Sequence, residues 1–156
     1  MQAYGKEAKS LDMSLDNQTP VLVGAGAITQ REKNPQDALE ASELMVEAAR
    51  RAARDAGAEE LLSRASSIRV TNGIWDYPNP ARILADRFGA VDARTDLVEV
   101  GILQTTLLID AVQAIAQGSE EVSLVVGGGA KFRSLRAMIT GQTPPQTIQA
   151  PEEAPD

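Results

Sequence analysis

Residues 34–57 read NPQDALEASELMVEAARRAARDAG, and this stretch decides the fold. Ala38, Ala41, Met45, Ala49, Ala52, Ala53 and Ala56 recur at three- and four-residue spacing, which lines one side of a helix with small apolar groups. Glu40, Glu43, Glu47, Arg50, Arg51 and Arg54 fill much of the remaining surface, acids ahead of bases as the helix macrodipole favours. Glu47 precedes Arg51 by four residues, an orientation worth roughly 0.3 kcal/mol. Asn34 suits an N-cap, Pro35 a first helical position and Gly57 a left-handed stop. The alanine stripe predicts close approach to whatever lies beneath it.

Working outward, Pro20 introduces Val21-Leu22-Val23-Gly24-Ala25-Gly26-Ala27-Ile28, a short apolar run that suits a strand buried on both faces. Downstream, Ile68-Arg69-Val70 marks a second strand, residues 80–88 a short helix stopped by Gly89, and residues 96–100 a third strand. Residues 105–117 carry Leu107, Leu108, Ala111, Val112 and Ile115 at helical spacing before Gly118, and residues 121–126 make a fourth strand ending in Gly127-Gly128-Gly129. The order β-α-β-α-β-α-β predicts an α/β fold with a mainly parallel sheet and helices on both faces. Residues 1–19 show no sustained period and read as a disordered or loosely docked arm, residues 20–140 as the folded unit. Residues 141–156 read as a linker or disordered tail, because four of the eight prolines and three acids crowd positions 143–156.

Length and composition exclude several classes. The 156 residues fit one domain or a fragment of something larger. Fifteen Lys and Arg against 22 Asp and Glu leave a net charge of −7, which disfavours nucleic acid and anionic membranes as partners. The absence of Cys removes disulfides, thiolate nucleophiles and Cys-ligated zinc; the absence of His removes the commonest general base and metal ligand. Carboxylates, Lys and Ser are the catalytic repertoire that is left. The longest near-continuous apolar run, Leu124 to Ala130, falls far short of the roughly 20 residues of a membrane span, and residues 1–20 lack the apolar core of a signal peptide. A soluble cytoplasmic protein is expected. At 3% aromatic content, the core must be built from Ala, Val, Leu and Ile.

The motifs carry little chemistry on their own. Gly24-Ala25-Gly26 follows a predicted strand as a dinucleotide fingerprint does, but its third glycine would fall at Thr29 and the next helix begins only near Pro35. A close-packed strand end explains the glycines better than nucleotide binding. Gly127-Gly128-Gly129 with Lys131, Arg133 and Arg136 lacks the spacing of a Walker loop, so solvated charge outweighs contact with a nucleotide phosphate. Trp75 and Tyr77 stand in a Pro-rich loop and read as a packing plug before a ligand pocket. No carboxylate pair sits in an apolar setting; most acids fall on helix faces or in tails.

Taken together, these segments resemble the N-terminal half of the thiolase superfamily, in particular its branch similar to the thiolase part of sterol carrier proteins. The resemblance runs from about Thr19 to Ala137 and rests on four places: Val21 to Gly26, Ala48 to Gly57, Trp75 to Pro80 with Ala85 to Gly89, and Ala111 to Gly118 with Leu124 to Gly128. It implies Claisen-type joining or splitting of acyl chains on coenzyme A, with acyl-CoA as substrate and no resident cofactor or metal. The family's acyl-accepting cysteine stands at the start of the third helix, where the helix dipole favours a thiolate. Its position maps near Gly101, in a run Val-Gly-Ile-Leu-Gln-Thr-Thr without a thiol over residues 100–106, and the family's usual glutamate maps to Ala130. The remaining catalytic His and Cys belong to the family's second half, which this sequence does not contain.

The resemblance therefore implies the N-terminal portion of an acetyl-CoA acetyltransferase-like enzyme, inactive alone. It also implies a partner, either a C-terminal thiolase half or a separate thiolase-like subunit in a homo- or hetero-oligomer. Without that partner, the helix over 105–117 should expose its apolar face. A non-catalytic partner subunit and a nucleotide-binding α/β module are the alternatives.

Overall fold

The computed structural model describes residue 16, residues 18–99, residue 101 and residues 104–156. Among these, four α-helices and three strands follow in the order α1 (Ala41–Ala56), β1 (Ser67–Thr71), α2 (Pro80–Phe88), β2 (Arg94–Val98), α3 (Gln104–Ala116), β3 (Ser123–Val126) and α4 (Lys131–Thr140). The strands form one parallel sheet in the order β2-β1-β3, with Val70 opposite both Leu97 and Val126. The α/β class with a parallel sheet is thus as the sequence implies.

β1 is central and buried on both faces. Ile68 and Val70 join Met45, Val46, Leu84 and Val126 in the core beneath α1 and α2. Burying a side chain of this size contributes about 1.5–3 kcal/mol, so the small α1 stripe works by letting larger groups close over it. The alternate positions, Ser67 and Arg69, face the other way and meet Glu120 and Ser123. Arg69 Nη2 stands 2.8 Å from Glu120 Oε1, and Arg69 Nε 3.4 Å from Asp96 Oδ2. Burial alone would raise the Glu120 carboxyl, but the hydrogen bonds from Arg69 and Ser67 outweigh it and hold it below the usual range.

Four expectations need correction. Residues 21–28 are not a strand: no backbone ladder holds them, and they lie extended along the flank of α1. The cause is visible at two glycines. A Cβ on Gly24 would stand 2.2 Å from the Ala52 carbonyl oxygen, and one on Gly26 2.3 Å from that of Ala48, so the glycines are spent on contact with the helix. Second, α1 begins at Ala41 after Glu40; Asn34 and Pro35 instead open a separate turn in which Ala38 N–H donates to the Asn34 carbonyl. Third, the expected order ends on a strand, whereas residues 131–140 add a helix after it, whose apolar residues face outward. Fourth, the Pro- and acid-rich tail is bonded to the body by Thr147, Gln149 and Asp156. Most of the expected arm, residues 1–15 and 17, lies outside the described residues.

The stops read from sequence hold. Gly57, Gly89 and Gly118 all adopt left-handed φ, between 67° and 73°. Glu47 accepts from Arg51 at 3.0 Å and also from Arg54 at 2.9 Å. The third strand lies two residues earlier than its Val-rich pattern suggests.

Candidate functional site

In a parallel sheet, the carboxyl ends of the strands open toward helix N-termini and make the natural binding face. Here β1 ends at Thr71 and β3 at Val126, and Gly127 follows. A Cβ on Gly127 would meet Thr71 Oγ1 at 2.6 Å, with Gln104 Nε2 3.9 Å away. The two strand ends and the start of α3 therefore converge on a glycine backbone. Gly101, at φ +102°, occupies an exposed turn ahead of α3 and brings no side chain. Its neighbours Val100, Ile102 and Leu103 lie outside the described residues. The first polar side chains of α3 are Gln104, Thr105 and Thr106, none of them a thiol. Ala130, at the glutamate position of the resemblance, is the residue before α4 and caps it with no side-chain bond.

Trp75 stands over the same edge. Its indole N–H donates to the Gly128 carbonyl at 3.0 Å, and its ring lies 5.3 Å from that of buried Tyr77. Tyr77 in turn donates at 2.9 Å to Glu40 Oε2. Glu40 is 8% exposed and also accepts from both the amide and the hydroxyl of Thr147. Burial pushes the Glu40 carboxyl up, yet the bonds from Thr147 and Tyr77 prevail and hold it below the usual range. Burial, with the Glu40 charge beside it, raises the Tyr77 phenol. Glu40, Trp75, Asp76, Tyr77, Arg133 and Gln146 line a cleft of about 250 Å³.

The sequence places Glu40 on a solvent face; the structure buries it. No local signal marks that outcome, because Thr147 is 107 residues away. Arg69 is different. An arginine between Ile68 and Val70 in a continuous buried strand demands a buried acid, and that reading was open from the sequence.

The basic cluster does not converge on an open point. Arg133 is buried and donates to the carbonyls of Ala38, at 2.9 Å, and Pro145, while Arg136 reaches the Lys33 carbonyl at 3.4 Å and Lys131 faces solvent. Solvated charge thus describes Lys131 but not Arg133. Gly24-Ala25-Gly26 likewise serves the α1 contact and opens into no helix N-terminus. A second cleft, about 530 Å³ and mainly apolar, lies beside β3 between α1, α3 and residues 20–26, and its walls carry no titratable group. Among the described residues, no cluster of three or more acids has metal-site geometry, and no helix is long and apolar enough to cross a membrane.

No family model matches the chain, and no curated protein matches it. Among solved structures, it is similar to a monomeric SCP2-thiolase-like protein type 1 from Mycobacterium smegmatis. The two share 27% identity and superpose with a TM-score of 0.56 over 72% of this chain. The fold is thiolase-like, of the SCP2 type. The chain spans only 24% of the length of that protein. A single parallel sheet with its helices is consistent with one half of a thiolase-like sandwich.

Proposed function

We propose that this chain is the N-terminal portion of a thiolase-like acyl-CoA acyltransferase of the acetyl-CoA acetyltransferase kind, acting in lipid metabolism and without acyl transfer of its own. One observation carries the reading. The resemblance maps the family's thiol near Gly101, ahead of α3 in an SCP2-thiolase-like fold, and the chain contains neither Cys nor His. A helix N-terminus stabilises a thiolate only if one is present. By sequence, residues 100–106 read Val-Gly-Ile-Leu-Gln-Thr-Thr and hold no thiol for a base to activate. Incubation with acetyl-CoA, followed by intact-mass measurement and assay of free coenzyme A, tests this. No mass shift and no release are expected, and a covalent acetyl adduct would falsify the proposal.

A second reading, the non-catalytic partner subunit, is favoured by α3. Leu108, Ile109 and Val112 are each about half exposed on that helix, an apolar face that a thiolase-like partner would cover. Co-expression with a thiolase-like subunit separates the two readings. Stable co-purification with a fully active enzyme supports the subunit; a requirement for covalent continuity of both halves supports the fragment of one enzyme.

A further inference from the structure

Residues 145–156 are held by their side chains and backbone, and hardly at all by apolar burial: Ile148 is 92% exposed. The contacts instead form a sequence of polar matches. Arg133 donates to the Pro145 carbonyl. Glu40 takes both the amide, at 2.8 Å, and the hydroxyl of Thr147. Gln149 aligns its side-chain amide with the backbone of Asn79, accepting from its N–H at 3.1 Å and donating to its carbonyl at 2.7 Å. Asn79 Nδ2 donates to the Ala154 carbonyl at 3.1 Å. Asp156 closes the row on Thr95, with its N–H on the Thr95 carbonyl at 2.9 Å and its carboxylate accepting the Thr95 amide at 2.7 Å.

The receiving groups are largely fixed without the tail. Asn79 caps α2 by accepting the Arg82 N–H at 3.0 Å and also bonds Thr95 Oγ1 at 3.0 Å; Tyr77 orients Glu40. Asn79 and Thr95 are both buried. Side-chain groups oriented in advance bind a peptide with little further ordering on their own side. We propose that Glu40, Tyr77, Asn79 and Thr95 form a groove that reads a peptide bearing Thr and Gln two residues apart and followed by a turn, which the chain makes where the Glu153 N–H donates to the Ala150 carbonyl at 3.0 Å, and that the chain's own residues 145–156 fill it in cis. The carboxylate of Glu40 selects a residue whose hydroxyl and amide point the same way, and the Asn79 backbone selects a side-chain amide. The groove is separate from the Gly101 turn and does not depend on any acyltransfer.

Amide exchange of the full chain, followed residue by residue by NMR at pH 7, tests the proposal. In the Thr147→Val/Gln149→Leu double variant, the Thr147-position and Asp156 amides should exchange about tenfold or more faster, the effect expected from losing a charge-assisted hydrogen bond. The amides of residues 67–71 should keep their protection. An unchanged tail, or a tail already unprotected in the parent chain, overturns the groove; equal loss in residues 67–71 shows instead that the tail is part of the core. Addition in trans of a synthetic peptide of residues 143–156 should then return the Tyr77 and Asn79 resonances toward their parent positions. The same peptide carrying Thr147→Val should fail to do so. If both peptides act alike, or neither acts, the groove does not read this sequence.

Discussion

The first and last stretches laid on the folded body are held by opposite means. Residues 20–27 are almost wholly apolar, yet Val21, Leu22 and Val23 are 60%, 85% and 57% exposed. Two glycines against α1, the Ala25 N–H on Asp55 at 2.9 Å and Arg51 on the Ala27 carbonyl at 3.0 Å hold them there. Residues 147–156 are polar, acidic and proline-rich, yet they bond to Glu40, Asn79 and Thr95, all buried. Apolar content alone does not bury an extended segment, because its amides and carbonyls also need partners. A polar segment docks firmly wherever the body offers buried groups that would otherwise go unsatisfied.

The largest effect should come from the polar side of the sheet, where the same rule is most severe. Arg69→Met removes the cation that buried Glu120 shares with Asp96, leaving Asp96 to Arg94 and Glu120 without its ion pair, and should cost about 3–5 kcal/mol in urea unfolding. Adding Glu120→Gln should recover part of that loss. A cost below about 1 kcal/mol would show that water reaches this network and that it is not a buried ion pair.

Asn79 lies where the tail and the body meet. Asn79→Ala removes the α2 cap, the Thr95 contact and the Ala154 contact together, for an expected loss of about 1–3 kcal/mol. Substituting Asp at this position keeps the cap but not the two donors, and should lie between the parent and Asn79→Ala. If it equals the parent, the tail contributes nothing through this residue.

The tail is also acid-sensitive. Glu40 and Asp156 both have folded carboxyl groups held below their ordinary pKa, Glu40 by bonds from Thr147 and Tyr77 that overcome burial, and Asp156 by its bonds from Thr95. A carboxyl lowered by folding contributes stability that is complete above its unfolded value and is lost as pH falls through its folded value. Glu120, lowered by Arg69 and Ser67 against burial, adds to the same slope. Stability should therefore fall steadily below about pH 4.5. Glu40→Gln should flatten part of that fall, as read by the urea midpoint between pH 6 and pH 3. An identical slope in parent and variant would mean that Glu40 is not held by the tail.

How much of this was legible follows from distance along the chain. Helix periodicity and glycine stops are local, so α1, α2 and α3 and their ends at Gly57, Gly89 and Gly118 could be read directly. The run from Val21 to Ile28 has the composition of a strand, but composition does not say whether a sheet edge or a helix flank will receive it. α4 escaped because Arg133 and Ala137 face inward while Phe132, Leu135, Met138 and Ile139 face solvent, the reverse of the usual pattern. The Glu40–Thr147 bond joins residues more than one hundred positions apart, and neither residue type requires the other. The Gly101 turn was located only through resemblance, since a missing side chain leaves no pattern of its own.

The smallest expected effect is the sharpest test of the comparison. Gly26→Ala places a methyl group 2.3 Å from the Ala48 carbonyl oxygen and 2.4 Å from the Ala52 nitrogen, backbone atoms of a long helix that cannot give way. The segment must lift from α1, and the Ala25 bond to Asp55 should break with it. Because Val21, Leu22 and Val23 are already exposed, little buried area is lost, and the free energy of unfolding in urea should change by less than about 0.5 kcal/mol. The Ala25 amide, by contrast, should lose its protection from exchange. A loss of several kcal/mol would show that residues 20–28 are integral to the fold, and would erase the distinction drawn between an apolar segment resting on the body and a polar one docked into it.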